Sequence, residues 1–193
     1  MIDVDGSPAG YVAWYNHDTE TSRIRPLRPV LKNGKFGVQR MEMLAIYFAL
    51  ADNYVHFRKI ADKSLKKGRQ LIVRIRSDSK STVEQLKGIS EIRDDVLQRI
   101  YTVIDKLCVE MTAYNNSTTL LFNYLERTRN IAGLLLEQRR RKQRERMILI
   151  SQYNYSFTTG GAMSMSHFWD SLLDECARNK IMLSRQVARD LVC

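Results

Sequence analysis

Three acidic residues stand where one structural pattern gives way to another: Asp5 at the end of an apolar run, Glu42 near the start of a helical repeat, and Asp78 where a β-rich stretch becomes a helix. Carboxylates brought together repel, and an apolar sheet end tolerates a cluster of them only with a cation. Their hard oxygen donors suit a divalent metal such as Mg²⁺, which keeps several waters and takes one or two carboxylates directly. Two such ions can activate water and stabilise the leaving oxygen of an in-line displacement at phosphorus. The chemistry indicated is phosphodiester hydrolysis. Taken singly, Asp5 also reads as a turn residue, Asp78 as a helix N-cap and Glu42 as a first-turn acid facing the helix dipole. Their joint placement is what points to metal.

Residues 1–5 read as the end of a short strand, and the turn signal Asp5, Gly6, Ser7, Pro8 leads to a second apolar run over residues 10–15. Residues 21–30 supply a third strand, which Pro26 and Pro29 restrict to an edge or to its ends. From Gln39 onward Met43, Ile46, Tyr47 and Leu50 recur at helical spacing. The basic segment 59–69 is expected to connect this helix to a strand over 71–75. Ser77, Asp78 and Ser79 close that strand and cap a helix over 81–86 that stops at Gly88. An amphipathic helix is expected over 92–109, then a strand over 118–124 with Asn115 and Asn116 as its turn, and a helix over 130–148. Strands first, then alternating helix and strand, indicate the α/β class, with a mixed sheet flanked by helices. If the strands ending at Asp5 and Asp78 are neighbours, both acids lie at the carboxyl ends of the sheet, where open α/β sheets bind ligands.

A chain of 193 residues is long enough for one full domain and a modest appendage. The expected division is a domain over residues 1–148 and a C-terminal extension with two short helices over 149–193. No run approaches the roughly 20 apolar residues that span a bilayer, and the N-terminus lacks a secretory pattern, so a cytoplasmic location with no membrane partner is expected. Cys108, Cys176 and Cys193 have no CxxC spacing, which argues against a zinc site or a disulfide framework. Lys and Arg outnumber Asp and Glu by 31 to 21, for a net charge of +10, which favours a polyanionic partner, nucleic acid first.

Four segments of the chain resemble type 1 ribonuclease H. Ile2-Asp3-Val4-Asp5-Gly6-Ser7 is similar to the family's first-strand motif, whose D-G-S aspartate binds metal, and Gln39-Arg40-Met41-Glu42-Met43-Leu44-Ala45 to its first-helix motif. Arg76-Ser77-Asp78-Ser79, followed by Val83, Leu86 and Gly88 in a V-x-x-L-x-G pattern, is the most specific match. The resemblance implies that Asp5, Glu42 and Asp78 are catalytic and hold Mg²⁺ or Mn²⁺, two ions in the family, and that the RNA strand of an RNA–DNA hybrid is cleaved endonucleolytically. The fourth segment, Glu126 to Gly133 read through Arg129, Asn130 and Ala132, resembles the approach to the last metal-binding aspartate, but Gly133 occupies that position. The family's mobile histidine and an insertion serving as a basic handle have no counterpart here.

Glu137, one helical turn beyond Gly133, or Asp3, on the strand face of Asp5, stands as a replacement ligand; a solvated helix acid and a terminal acid are the plainer readings of the two. Loss of one ligand implies slow turnover or a preference for Mn²⁺ over Mg²⁺. The alternative is a catalytically impaired nucleic-acid-binding protein of the same fold, and DNA cleavage or strand transfer is a third reading. Under the resemblance Gly6, Ser7, Gln39, Arg40 and Lys80 lie beside the metal and meet phosphate or ribose oxygens, while Arg139, Arg140 and Arg141 begin a basic run that extends the phosphate footprint. Tyr153, Tyr155 and Phe157 alternate as in a strand. His167, Phe168 and Trp169 open one helix of the extension, and Ser184 to Arg189 carries a weak helix-turn-helix signal. The extension reads first as a helical lid or a homodimer contact and second as a DNA reader.

Overall fold

The chain begins with a β-meander. Strands β1 (Ile2–Ser7), β2 (Tyr11–Asn16) and β3 (Thr21–Pro26) pair antiparallel, in the register Asp5 to Ala13 and Ala13 to Ile24. The computed structural model describes residues 1–114 and 118–159. β1 continues past Asp5, because Gly6 and Ser7 pair with Val12 and Tyr11; the turn falls at Pro8–Gly10, where the Gly10 amide donates to Ser7 O at 2.9 Å. β3 is an edge strand closed by Pro26 and does not reach residue 30. Pro29 instead opens a short helix, α1 (Pro29–Lys32), where its fixed φ and missing N–H cost nothing.

Helix α2 (Gly37–Leu65) absorbs most of the basic segment expected to be a connection. Its buried stripe explains why: Ala45, Ala49, Asn53, Phe57 and Ala61 recur every four residues and are all buried, so one face stays against the core through Ala61 while the lysines face out. β4 (Leu71–Ser77), α3 (Lys80–Leu86), α4 (Asp95–Tyr114) and β5 (Thr118–Tyr124) follow, then a 3-10 turn (Arg127–Arg129) and α5 (Ile131–Thr159). Tyr153, Tyr155 and Phe157 fall on the helical backbone of α5, not on a strand. The expected turn at 115–116 and the two helices of the extension lie outside the described residues.

The sheet order is β3-β2-β1-β4-β5, with β1, β4 and β5 mutually parallel and the two parallel crossovers carried by helices. This is the expected mixed sheet flanked by helices. Period-two alternation divides β1 between two faces. Ile2 and Val4 join Val12, Trp14, Val73 and Ile75 in the main core against Met41, Ile46, Leu50 and Phe57 of α2 and Leu97 and Ile104 of α4. Each fully buried aliphatic side chain there contributes about 1.5–3 kcal/mol. Asp3 and Asp5 turn to the other face, where Ala13 packs with Ala132 and Leu136 of α5. The first compact unit is Met1–Arg140; the second begins at Arg141, and residue 148 lies inside α5. Among the described residues no helix is long and apolar enough to cross a membrane.

Candidate metal centre

Three elements converge on one point. β1 and β4 are parallel neighbours paired from Ile2–Ile75 to Val4–Ser77, so Asp5, still within β1, and Asp78, just past β4, stand side by side one residue beyond the last pair. The first turns of α2 cross β1 at Gly6, where a Cβ would stand 2.3 Å from both Glu42 N and Met41 C. Only glycine allows that approach, and the approach is what lowers Glu42 onto the strand end. Asp5, Glu42 and Asp78 each offer an oxygen within 4.8 Å of the others; among the described residues they are the one such acidic group.

Local hydrogen bonds hold the acids in place. Asn130, fully buried, donates through Nδ2 to Val4 O at 2.8 Å and to Asp78 Oδ1 at 3.0 Å, so one amide ties the start of α5 to β1 and to the carboxylate. Ser77 Oγ accepts the Ser79 amide at 3.1 Å and stands 3.4 Å from Glu42 Oε2. Ser79 is the N-cap of α3 by position; its hydroxyl bonds Thr82 Oγ1 at 2.8 Å instead of a backbone amide.

The electrostatics are those of anions crowded out of water. Burial first, then the Asp78 charge, pushes the Asp5 carboxyl up to about 6, against the lowering effects of a Glu42 hydrogen bond, Arg127 and the Gly6 amide. Glu42 is held well above the usual glutamate range by burial, then by the charges of Asp5 and Asp78. No lysine or arginine forms an ion pair with any of the three among the described residues. This donor set, hard, acidic and without an ion-pair partner among the described residues, fits a divalent cation.

Neither expected replacement ligand joins the cluster. Asp3 is fully buried and committed elsewhere: it accepts Arg76 Nε at 2.7 Å and the Ile131 amide at 3.3 Å, and lies 2.9 Å from His17 Nε2. Glu137 is exposed on α5. Gly133 itself stands beside Asp5, where an added Cβ would lie 3.2 Å from Asp5 Oδ2.

The basic and polar candidates separate in the same way. Gly6 and Ser7 end β1 at the cluster, with Ser7 Oγ accepting the Ala9 amide, and Gln39 lies one helical turn before Glu42 on the same face. Lys80 begins α3 two residues after Asp78 and pairs loosely with Glu84 at 3.8 Å. Arg40 spends its fork on Asp94, at 2.8 and 2.6 Å, and reaches Asn33 O. Asp94 also accepts the Leu97 amide, so this pair fastens α2 to the start of α4. Arg139 lies over the Tyr11 ring, Arg140 is exposed, and Arg141, in the second unit, pairs with Glu145 at 3.4 Å. The role of Asn130 was not legible beforehand, because its contacts lie 126 and 52 residues away in sequence.

No family model matches the chain, and no curated protein matches it. Among solved structures it is similar to LC11-RNase H1 in complex with an RNA/DNA hybrid, at 18% identity and a TM-score of 0.50, over 67% of this chain and 86% of that one. RNase H1 from the halophilic archaeon Halobacterium salinarum NRC-1 also matches, at 18% identity and a TM-score of 0.45, over 68% and 88%. With its mixed five-stranded sheet and flanking helices, the chain has a ribonuclease H-like fold.

Proposed function

We propose that this chain is a metal-dependent endonuclease that hydrolyses the RNA strand of RNA–DNA hybrids. The observation that carries the reading is the convergence of Asp5, Glu42 and Asp78, none of them ion-paired with a lysine or arginine among the described residues, toward the carboxyl ends of two parallel strands. A solved protein of the same fold was captured with an RNA/DNA hybrid. Asp5, Glu42 and Asp78 would hold Mg²⁺ or Mn²⁺, as two ions. Bound there, the metal supplies a water activated for attack at phosphorus and a counter-charge for the leaving oxygen.

The chain's own groups fix the geometry. Asn130 orients Asp78, and the Gly6 amide meets the carboxylates of Asp5 and Glu42. Gly6, Ser7, Gln39 and Lys80, beside the cluster, meet phosphate and ribose oxygens, contacts that position a duplex without reading its sequence. The decisive test is cleavage of a labelled hybrid, with duplex RNA and duplex DNA as controls, in Mg²⁺ and in Mn²⁺, comparing the parent chain with Asp78→Asn. Hybrid-specific cleavage that disappears in the variant is expected.

Gly133 favours one second reading, a nucleic-acid-binding protein with impaired catalysis, because the position beside Asp5 carries no side chain at all. Salt-sensitive hybrid binding without cleavage in either metal would select it.

A further inference from the structure

Beside the carboxylate cluster lies a second group of side chains. Tyr11 opens β2 and is the register partner of Ser7, just as Ala13 is the partner of Asp5. Cross-strand partners share a face, as do residues two apart in a strand, so Tyr11, Ala13, Asp5 and Ser7 all face α5. Ala13 packs on Ala132 and Leu136, and Tyr11 against the same cluster. Along α5, the step from Gly133 beside Asp5 to Arg139 is six residues, an advance of about 9 Å toward the Ser7 end of β1.

There the Arg139 guanidinium lies over the Tyr11 ring, its carbon 4.3 Å from the ring centroid. Lys32 arrives at the same turn from α1: its Nζ donates to Ala9 O at 3.3 Å, and its Cδ is 3.0 Å from where a Gly10 Cβ would stand. Among the described residues neither Arg139 nor Lys32 is ion-paired with a carboxylate. Cation–π attraction holds the guanidinium over the ring, and its planar N–H fork matches two oxygens of a phosphate.

We infer that Tyr11, Lys32 and Arg139 form a phosphate clamp for the nucleic acid that lies across the carboxylate cluster. Arg139, held over Tyr11, grips one backbone phosphate and Lys32 a neighbouring one, fixing the strand against the end of the sheet. The clamp rests on the nuclease reading for its ligand, but it needs no metal to act.

The test is binding of a fluorescent RNA–DNA hybrid to the full chain in EDTA, measured by anisotropy from 50 to 300 mM salt. The comparison covers the parent, Arg139→Ala, Arg139→Lys, Lys32→Ala, Tyr11→Leu and the exposed α4 control Lys106→Ala. Removing either cation is expected to flatten the dependence of log K on log salt by about 0.9, one phosphate contact. It should also weaken binding about tenfold at 100 mM salt, as expected for one charged hydrogen bond. Tyr11→Leu should weaken binding as Arg139→Ala does, Arg139→Lys should recover the salt slope but not the affinity, and Lys106→Ala should match the parent. Parent-like slopes and affinities in Arg139→Ala and Lys32→Ala, both surface changes that spare the fold, would overturn the clamp and leave the nuclease reading standing. A parent chain that does not bind the hybrid in EDTA would overturn the clamp, and one that fails to bind it in Mn²⁺ as well would overturn both.

Discussion

Replacing Asp5 by Asn should make the metal-free protein more stable at neutral pH, although it removes a proposed metal ligand. The reason is the direction of the Asp5 shift. Its carboxyl is pushed from 3.8 in the unfolded chain to about 6 in the folded one, by burial first and by Asp78 second. Between those values the folded chain binds more protons than the unfolded chain, so stability falls as pH rises through the window and stays low above it. A shift of about two units corresponds to about 3 kcal/mol of penalty at pH 7.5, at roughly 1.4 kcal/mol per unit. At pH 5, inside the window, roughly half of that penalty remains. Asp5 is 8% exposed, so solvent screening removes little of it.

An amide at this position is isosteric and uncharged, and its NH₂ group can donate to Glu42. Some of the gain is offset by bonds the carboxylate accepted, which leaves about 1–3 kcal/mol. For a chain of this length, that is a rise in Tm of about 2–10 °C. The assay is thermal unfolding in EDTA at pH 7.5 and pH 5, for parent and Asp5→Asn, repeated with excess Mn²⁺. The variant should melt above the parent in EDTA, by a margin that narrows at pH 5, and should lack the Mn²⁺-dependent rise expected of the parent. A variant that melts below the parent in EDTA at pH 7.5, or whose margin is the same at both pH values, would refute the account of the site as a store of electrostatic repulsion.

Other substitutions probe the supports. Gly6→Ala drives a methyl group into the backbone of Met41 and Glu42 and should cost about 1–3 kcal/mol in chemical denaturation, with metal affinity measured by calorimetry falling as Glu42 is displaced. Asn130→Ala removes the buried amide that bonds both the Val4 carbonyl and Asp78, so it should destabilise by about 1–3 kcal/mol and weaken Mn²⁺ binding as well. Gly133→Asp places a fourth carboxylate against Asp5: metal-free Tm should fall, while Mg²⁺ titration should show tighter binding and a smaller preference for Mn²⁺.

Much of the arrangement was legible because local patterns and global fold agree. The S-D-S sequence at residues 77–79 ends a strand and begins a helix, and the structure puts the end of β4 and the start of α3 there. The length of α2 is hidden in the sequence because Lys59 and Lys63 dominate the composition of its last turns, whereas Phe57 and Ala61 decide which face is buried. Strand β3 is shorter than the expected 21–30 for a related reason: a proline such as Pro29 can end an extended segment or start a helix, and sequence alone does not say which. The commitment of Arg40 to Asp94 was hidden by 54 residues of separation.

Asp3 shows where period-two reasoning stops. It shares a strand face with Asp5, as alternation requires, yet the two acids do different work because different neighbours reach them. Arg76 on β4, His17 after β2 and the Ile131 amide at the head of α5 all close on Asp3, giving a buried carboxylate the partners it needs. One acid thereby pins three strands and a helix together at the point where Asn130 and Gly133 are carried to the cluster. Two residues on, Asp5 meets two other acids, the Gly6 amide and the charge of Arg127, with no ion-pair partner among the described residues. The contrast assigns Asp3 to holding the frame and leaves Asp5 with an unmet need for positive charge, which is the physical signature of a ligand.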